Sequence, residues 1–390
     1  MSALTVTNTR RGGWLAVVSV MLGIFAIVTT EILPIGLLTS IGADLSISDG
    51  TAGLMMTMPG LLAAASAPIV TVATARVDRG RMLRAFMLVL TLANVIAAAA
   101  PGYWAVLVSR VLVGVTIGGF WSIAAGLAER FVPPGSAARA TAVIFAAVPL
   151  GSVLGVPAGT FIGDIAGWRT AFVVMAALSG LVLVAITVVV PRLPAEQVTR
   201  MSVLRNMVRR RSTRAALLVT FLMVLAHFGT YTYVTPFLEQ VTHVSSGTIT
   251  VILLVYGAAG IAGNFLAGTR AAQYPRATFG ISAGLLAAAT LLLPVAGTTP
   301  AGAVALLVVW GLAYGAVPVC SQTWFTQSAR DTPEAASVLF TSSFQATIGL
   351  GALAGGAVVD HASPSAVMVL GGCTALLVAA ACARLGRGPN

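Results

Sequence analysis

Apolar runs near twenty residues long recur along the chain, separated by short polar breaks. Each is long enough to cross a ~30 Å hydrocarbon core as a helix. They fall close to 14–38, 51–73, 85–100, 103–127, 140–163 and 170–190, then 215–238, 247–269, 277–297, 301–325, 335–358 and 364–383. The pattern predicts an all-α membrane protein of twelve transmembrane helices in two six-helix bundles. Residues 1–190 form the first bundle, 191–214 a basic cytoplasmic linker and 215–390 the second bundle. The first run follows Arg10 and Arg11, as in a secretory leader, but it continues past the 7–15 residues of a leader core. It is read as a retained span.

Composition agrees: 58% of residues are hydrophobic and 8% charged, with mean hydropathy +0.97, where soluble domains carry about 25% charged residues. The net charge of +11 would suit a nucleic-acid partner, but the 22 basic residues, all Arg, fall in a pattern that decides against one. With the N-terminus cytoplasmic, every Arg except Arg110 and Arg169 lies in a cytoplasmic segment, which is the positive-inside asymmetry of a multi-pass protein. Both termini are therefore expected on the cytoplasmic side of the inner (plasma) membrane. The linker "RNMVRRRSTR" is basic enough for an amphipathic surface helix. Cys320, Cys373 and Cys382 lie in apolar segments without metal-ligand spacing and are read as core residues. No phosphate loop and no HExxH or CxxC spacing occurs, and the three histidines are scattered, so no enzyme, metal or cofactor is expected.

The two halves repeat. Gly60 and Gly257, Gly114 and Gly311, and Gly118 and Gly315 are each 197 residues apart. Gly155 and Gly351, Gly159 and Gly355, and Asp164 and Asp360 are 196 apart. Pro34 and Pro236 are paired as well, which makes Tyr233 the counterpart of Glu31. Parallel six-span repeats related by an axis along the membrane normal place a small-molecule site between the halves, near mid-depth.

Two charges interrupt the apolar runs of the first half: Glu31 in "TTEILPIGLL" and Arg110 in span 4. Each lies about seven residues from the same end of its span, so at ~1.5 Å per residue they share a depth. A charge within a span costs ~2.5–3.5 kcal/mol on insertion scales and normally pairs or lines a cavity. Desolvation and a neighbouring cation act on a carboxyl in opposite senses, so Glu31 is read as a proton-coupling acid tuned by Arg110. A fixed bridge that locks spans 1 and 4 is the alternative.

In "AHFGTYTYVTPFLEQV", His227, Tyr231 and Tyr233 are candidate substrate ligands, and Glu239 is a rim charge. His227 is equally compatible with a hydrogen-bonded packing role. Trp121, Trp310, Asn264 and Gln345 join the candidates; Asn94 and Gln322 are further polar groups in spans. Such an uncharged polar and aromatic lining suits a neutral or amphipathic molecule. Gly151, Gly155, Gly159 and Gly163 recur at every fourth position of span 5, on one face that lets another helix approach closely. Pro157 between them kinks the span.

Several stretches carry a family resemblance. "SRVLVGVTIGG" resembles the span-4 motif of the major facilitator superfamily, with Arg110 in the position tied to proton transfer and Val113 where a polar residue is usual. "GSVLGVPAGTFIG" is similar to the antiporter motif of its twelve-span drug:proton antiporter branch, with Val156 between Gly155 and Pro157. "ATARVDRGRMLRA" is a degraded form of the loop signature between spans 2 and 3: Arg79, Gly80, Arg81 and Arg84 match, Asp78 sits one residue late and Ala73 stands for the leading Gly. "TTEILPIGLL", "GGFWSIAAGLAERFVPP" and "HFGTYTYVTPFLEQV" resemble the sugar-efflux (arabinose-efflux-permease-like) and purine-nucleoside-efflux group. The resemblance implies a monomeric, proton-coupled antiporter that exports a sugar, nucleoside or drug by alternating access, powered by the proton gradient without a cofactor. An uncoupled facilitator or importer, in which Glu31 and Arg110 are structural, and a transporter-like receptor are the rival readings.

Overall fold

The computed structural model describes residues 3–74, 76–124, 127–194, 211–271, 274–328 and 333–385. Twelve long helices carry the fold. In the first half they are α1 (Ala3–Leu45), α2 (Leu54–Ala73), α3 (Arg79–Ala98), α4 (Tyr103–Ala124), α5 (Ala137–Ala166) and α6 (Trp168–Val189). In the second they are α7 (Arg211–Tyr231), α8 (Ser246–Ala271), α9 (Pro275–Ala296), α10 (Pro300–Ser328), α11 (Pro333–His361) and α12 (Pro364–Leu385). A short helix, Val234–Gln240, continues α7 after a turn at Thr232 and Tyr233. Twelve helical segments have the length and hydropathy to span a bilayer, so this is a multi-pass membrane protein. Several helices outrun the apolar stretches that predicted them, because backbone N–H groups go on finding i−4 carbonyls beyond the hydrocarbon boundary. Most of the basic linker lies outside the described residues, and the surface helix expected there with it. Cys320 and Cys382 are buried, but Cys373 is exposed on the helix surface, contrary to its reading as a core residue.

The internal repeat is visible as repeated contacts. A Cβ on Gly114 would stand 2.6 Å from the Pro59 carbonyl of α2, and one on Gly311 would meet the carbonyl of Tyr256 on α8. Gly118 meets Ala63, and Gly315 meets Gly260, in the same way. Each partner pair is again 197 residues apart. The ends match too: Ser46, which follows α1, and His243, which follows the α7 extension, are the two described non-glycine residues with positive φ (54° and 56°).

This register corrects the proline pairing. Gly155 packs on Ile32 while its repeat mate Gly351 packs on Gly229, so Ile32 corresponds to Gly229 and Glu31 to Phe228. Tyr233 is the counterpart of Gly36, not of Glu31. Prolines sit where one helix happens to bend, whereas close glycine contacts and left-handed helix ends are tied to the packing that the repeat preserves.

The bundles meet along α2–α11 and α5–α8. Gly60 lies so close to α11 that a Cβ would stand 2.6 Å from the Gln345 carbonyl and 2.7 Å from the Gly349 nitrogen. Gly257 of α8 meets Val153 of α5 at 2.8 Å in the same sense. At the Arg-poor end the seam is closed by polar contacts. Asp360 accepts from Ser48 Oγ (2.6 Å) and the Gly50 nitrogen (2.8 Å). Gln240 donates to Asp49 (2.9 Å), Thr39 to Glu239 (3.1 Å) and Thr235 to the Ile35 carbonyl (2.9 Å). Glu239, expected as a solvated rim charge, is half-buried in this seam.

Candidate functional site

Three prolines shape the site. A proline within a helix has no N–H for the carbonyl four residues earlier, so Pro34 frees the Thr30 carbonyl and Pro59 frees that of Met55. Arg110, fully buried, takes both. Its Nη1 donates to Thr30 O (2.8 Å), its Nε to Met55 O (2.8 Å) and its Nη2 to Glu31 O (2.7 Å). Pro68 frees the Ala64 carbonyl in turn, and Ser342 of the other bundle donates to it (2.6 Å). Thus Arg110 and Glu31 do share a depth, but the hydrogen bonds of the guanidinium go to main chain. Its charge sits beside the Glu31 carboxyl while its N–H groups hold α1 and α2 together.

The Glu31 side chain is 6% exposed and reaches across the seam, where Oε1 accepts from Gln345 Nε2 of α11 at 2.9 Å. Behind it Asn94 donates to Thr30 Oγ1 (3.3 Å) and to Leu90 O (3.1 Å). The glycine run of α5 supports this stretch of α1 directly: Gly151 faces Val28, Gly155 faces Ile32 and Thr29, Gly159 faces Leu33 and Gly163 faces Leu37. Pro157 lies within the same helix, α5. A side chain on Gly155 would push Ile32, whose Cγ1 stands 2.8 Å from the Cβ position. Gly155→Val is therefore expected to cost about 1–3 kcal/mol by overpacking, read as a lower unfolding temperature of the purified protein.

On the other side of the seam lies an aromatic cluster. His227 stacks on Tyr314 with ring centroids 3.3 Å apart, and on Tyr231 at 5.1 Å. Tyr231 stacks on Tyr256 at 4.7 Å. Trp310 stands edge-on to His227, Tyr231 and Tyr256 and donates its Nε1 proton to His227 Nδ1 at 3.0 Å. An Nδ1 acceptor is unprotonated, so the imidazole carries its proton on Nε2 when neutral. Phe228 packs edge-on against Tyr314, and Phe344 against Phe228. Because Phe344 adjoins Gln345, one turn of α11 touches both the carboxyl of one bundle and the aromatic cluster of the other. Tyr314 also lies within electrostatic reach of Glu31.

Of the sequence candidates, the structure brings together Glu31, Arg110 and Gln345, and joins His227, Tyr231 and Trp310 beside them. Tyr233 is elsewhere: it is buried near the Arg-poor end, donating to Ala352 O (2.7 Å) and filling the space over Gly53 and Gly356. Trp121 is half-buried against Phe145 of its own bundle, at 6.0 Å. Asn264 is half-buried, eight residues beyond Tyr256 and so about 12 Å along α8. Gln322 has no described side chain. Asp78 caps α3 by accepting from the Arg81 nitrogen (2.9 Å) and also accepts from the Leu193 nitrogen. Arg79 donates its backbone N–H to Leu193 O (2.8 Å), and Gly80 abuts Pro191. The loop motif thereby pins the exit of α6 to the start of α3; Arg81 is exposed. Sequence reading missed Tyr256, Tyr314, Phe228 and Phe344. Repeat alignment at 197 would have found Phe228 opposite Glu31.

A buried carboxyl at the seam of two repeated six-helix bundles can bind and release a proton, and an aromatic cluster packs beside it. The Major Facilitator Superfamily model matches residues 14–340. The purine ribonucleoside efflux pump NepI of Escherichia coli O6:K15:H31 (strain 536 / UPEC) is 30% identical over 369 residues, covering 95% of this chain and 93% of that protein. NepI of Salmonella enteritidis PT4 (strain P125109) is also 30% identical, with the same coverage. Among solved structures, a bacterial homolog of the human lysosomal transporter Spinster, inward-facing and occupied, superposes with a TM-score of 0.75 at 18% identity, covering 95% of this chain and 96% of that one. The human organic anion transporter MFSD10 (TETRAN) does so at 0.67 and 18%, covering 95% and 99%. The sequence match over most of the chain and the shared twelve-helix architecture together make this protein a transporter of the Major Facilitator Superfamily.

Proposed function

We propose that the protein is a proton-coupled exporter of purine ribonucleosides or closely similar planar, hydrogen-bonding solutes. It works in the inner membrane as a monomer with both termini in the cytoplasm, and the proton gradient is its only energy source. The carrying observation is the placement of the Glu31 carboxyl: it crosses the seam to Gln345, next to the stacked rings of His227, Tyr231, Tyr256 and Tyr314 and the edge-on Trp310. A purine would stack on such rings, and its polar edge would face the amide. The nucleoside assignment is supported by the NepI relatives. The coupling is supported by a carboxyl that is bonded to a neutral amide and buried at the interface that must open and close. On this topology the Arg-poor end is periplasmic, and the contacts of Asp360, Asp49 and Glu239 close the outer side. The two bundles then rock about the α2–α11 and α5–α8 seams to expose the site alternately.

The test is made in proteoliposomes with an imposed pH gradient. Purine ribonucleosides, pentoses, alkyl galactosides, chloramphenicol-like antibiotics and lipophilic cations are added in turn, and proton movement is followed. Dissipation of the gradient by the nucleosides alone is the expected outcome. Nucleoside flux without proton movement would make the protein an uncoupled facilitator, with Glu31 a structural charge.

A further inference from the structure

We propose that Gln345 carries the protonation state of Glu31 to the substrate by turning its carboxamide over. This rests on the reading of Glu31 as the proton site. Glu31 Oε1 accepts from Gln345 Nε2 at 2.9 Å, and Gln345 is 5% exposed. With the seam closed, the backbone at Gln345 is tied to α2: Gly60 lies directly against its carbonyl and Ser342, one turn earlier, is bonded to Ala64 O. Rotation of the side chain is the coordinate left.

The chemistry of the two partners sets the direction. An ionised carboxylate only accepts, so it requires the N–H of the amide, and Gln345 Oε1 is then the end turned away from it. A neutral carboxyl keeps one acceptor oxygen but gains an O–H; where that O–H points at the amide, Oε1 meets it and the NH2 is turned away instead. The end presented to a neighbouring molecule thus changes from acceptor to donor when Glu31 takes up a proton. A solute offering an N–H or O–H at that point, such as a nucleobase amino or imino group or a ribose hydroxyl, is held while Glu31 is ionised. It faces a second donor, and is released, once Glu31 is neutral. That order, substrate bound without the proton and released with it, is the one antiport requires.

The other groups around the carboxyl are accounted for. Arg110 of α4 gives Nε, Nη1 and Nη2 to main-chain carbonyls. Tyr103 of α4 donates to Thr51 O. Tyr314 of α10 is stacked on His227 of α7, whose Nδ1 is held by Trp310. His227 is the ionisable ring in the neighbouring aromatic cluster, so the experiment must separate it from Glu31.

Binding of guanosine to the purified full-length protein in detergent is measured from acidic to mildly alkaline pH. Wild type is expected to bind about tenfold more weakly at the acid end, the value of one hydrogen bond gained or lost. Glu31→Gln should bind without pH dependence. Gln345→Met, close in volume but without the amide, should also be flat, at the weaker affinity. Gln345→Asn, which keeps the amide but falls one methylene short of Glu31, should be flat too and guards against a folding defect in the Met variant. If the Gln345 variants keep the wild-type slope while Glu31→Gln is flat, the signal bypasses Gln345; this inference falls and the proton-site reading stands. If Glu31→Gln keeps the slope, His227 is the sensing group and both fall. A wild type without a slope also overturns the proposal.

Discussion

Glu31→Gln is expected to abolish pH-driven efflux while leaving a folded protein that still exchanges substrate. Each pH unit across the membrane is worth about 1.4 kcal/mol per proton, or a tenfold substrate ratio at one proton per substrate. In the variant, the ratio sustained by a pH gradient should fall to one. The fold should survive because the substituted amide keeps the volume of the native side chain, and its carbonyl oxygen can still accept from Gln345 Nε2 as the Glu31 carboxyl does. Counterflow of labelled nucleoside in proteoliposomes without a gradient separates the two effects. Counterflow intact with gradient response lost is the expected pair, and a wild-type gradient response would remove Glu31 from the coupling mechanism.

Arg110→Leu is expected to be the most destabilising single substitution at the site. It removes donors from three buried carbonyls at once, at about 1–3 kcal/mol for each group left unsatisfied. A loss of about 3 kcal/mol or more should appear as a large fall in unfolding temperature in detergent. The cause can be isolated, because two of those carbonyls are free only on account of Pro34 and Pro59. Pro34→Ala with Pro59→Ala returns an N–H to each. In that background, Arg110→Leu should cost about 2 kcal/mol less, a coupling of the size found between residues in contact. An unchanged cost would mean that Arg110 acts through its charge on Glu31 rather than by holding α1 to α2.

That relation between proline and arginine was written in the chain all along. The rule that a proline at i frees the carbonyl at i−4 is local, so Thr30, Met55 and Ala64 are identifiable as needing donors without any coordinates. Which donors arrive is not local. Arg110 is 80 residues from Thr30, and Ser342 belongs to the other bundle. Sequence reading therefore brought Arg110 to the depth of the Glu31 carboxyl, but not to the three main-chain carbonyls that take its N–H groups.

The repeat shows the same division. Glycine pairs at 196 and 197 were enough to establish two related halves, because each glycine exists to admit a neighbouring backbone and the repeat preserves that contact. The proline pair misled by five residues, 202 against 197, and carried Tyr233 into the site, although it packs over Gly53 and Gly356 near the Arg-poor end. Trp121 and Asn264 mark the same limit: a polar or aromatic residue in a span has a depth readable from sequence, but its direction around the helix depends on which neighbours the helix acquires.

By itself, then, the sequence determined the membrane class, the twelve spans, the two related halves and the presence of one acid and one base inside the first half. These follow from hydropathy, segment length and spacing, which act over a few helical turns. Only the tertiary structure decided that Glu31 faces Gln345 across the seam, that Arg110 donates to main chain, and that Tyr256 and Tyr314 complete the stack around His227. Those contacts join helices distant in the chain, and they are set by how closely glycine lets two backbones approach and by which buried polar group has no other partner.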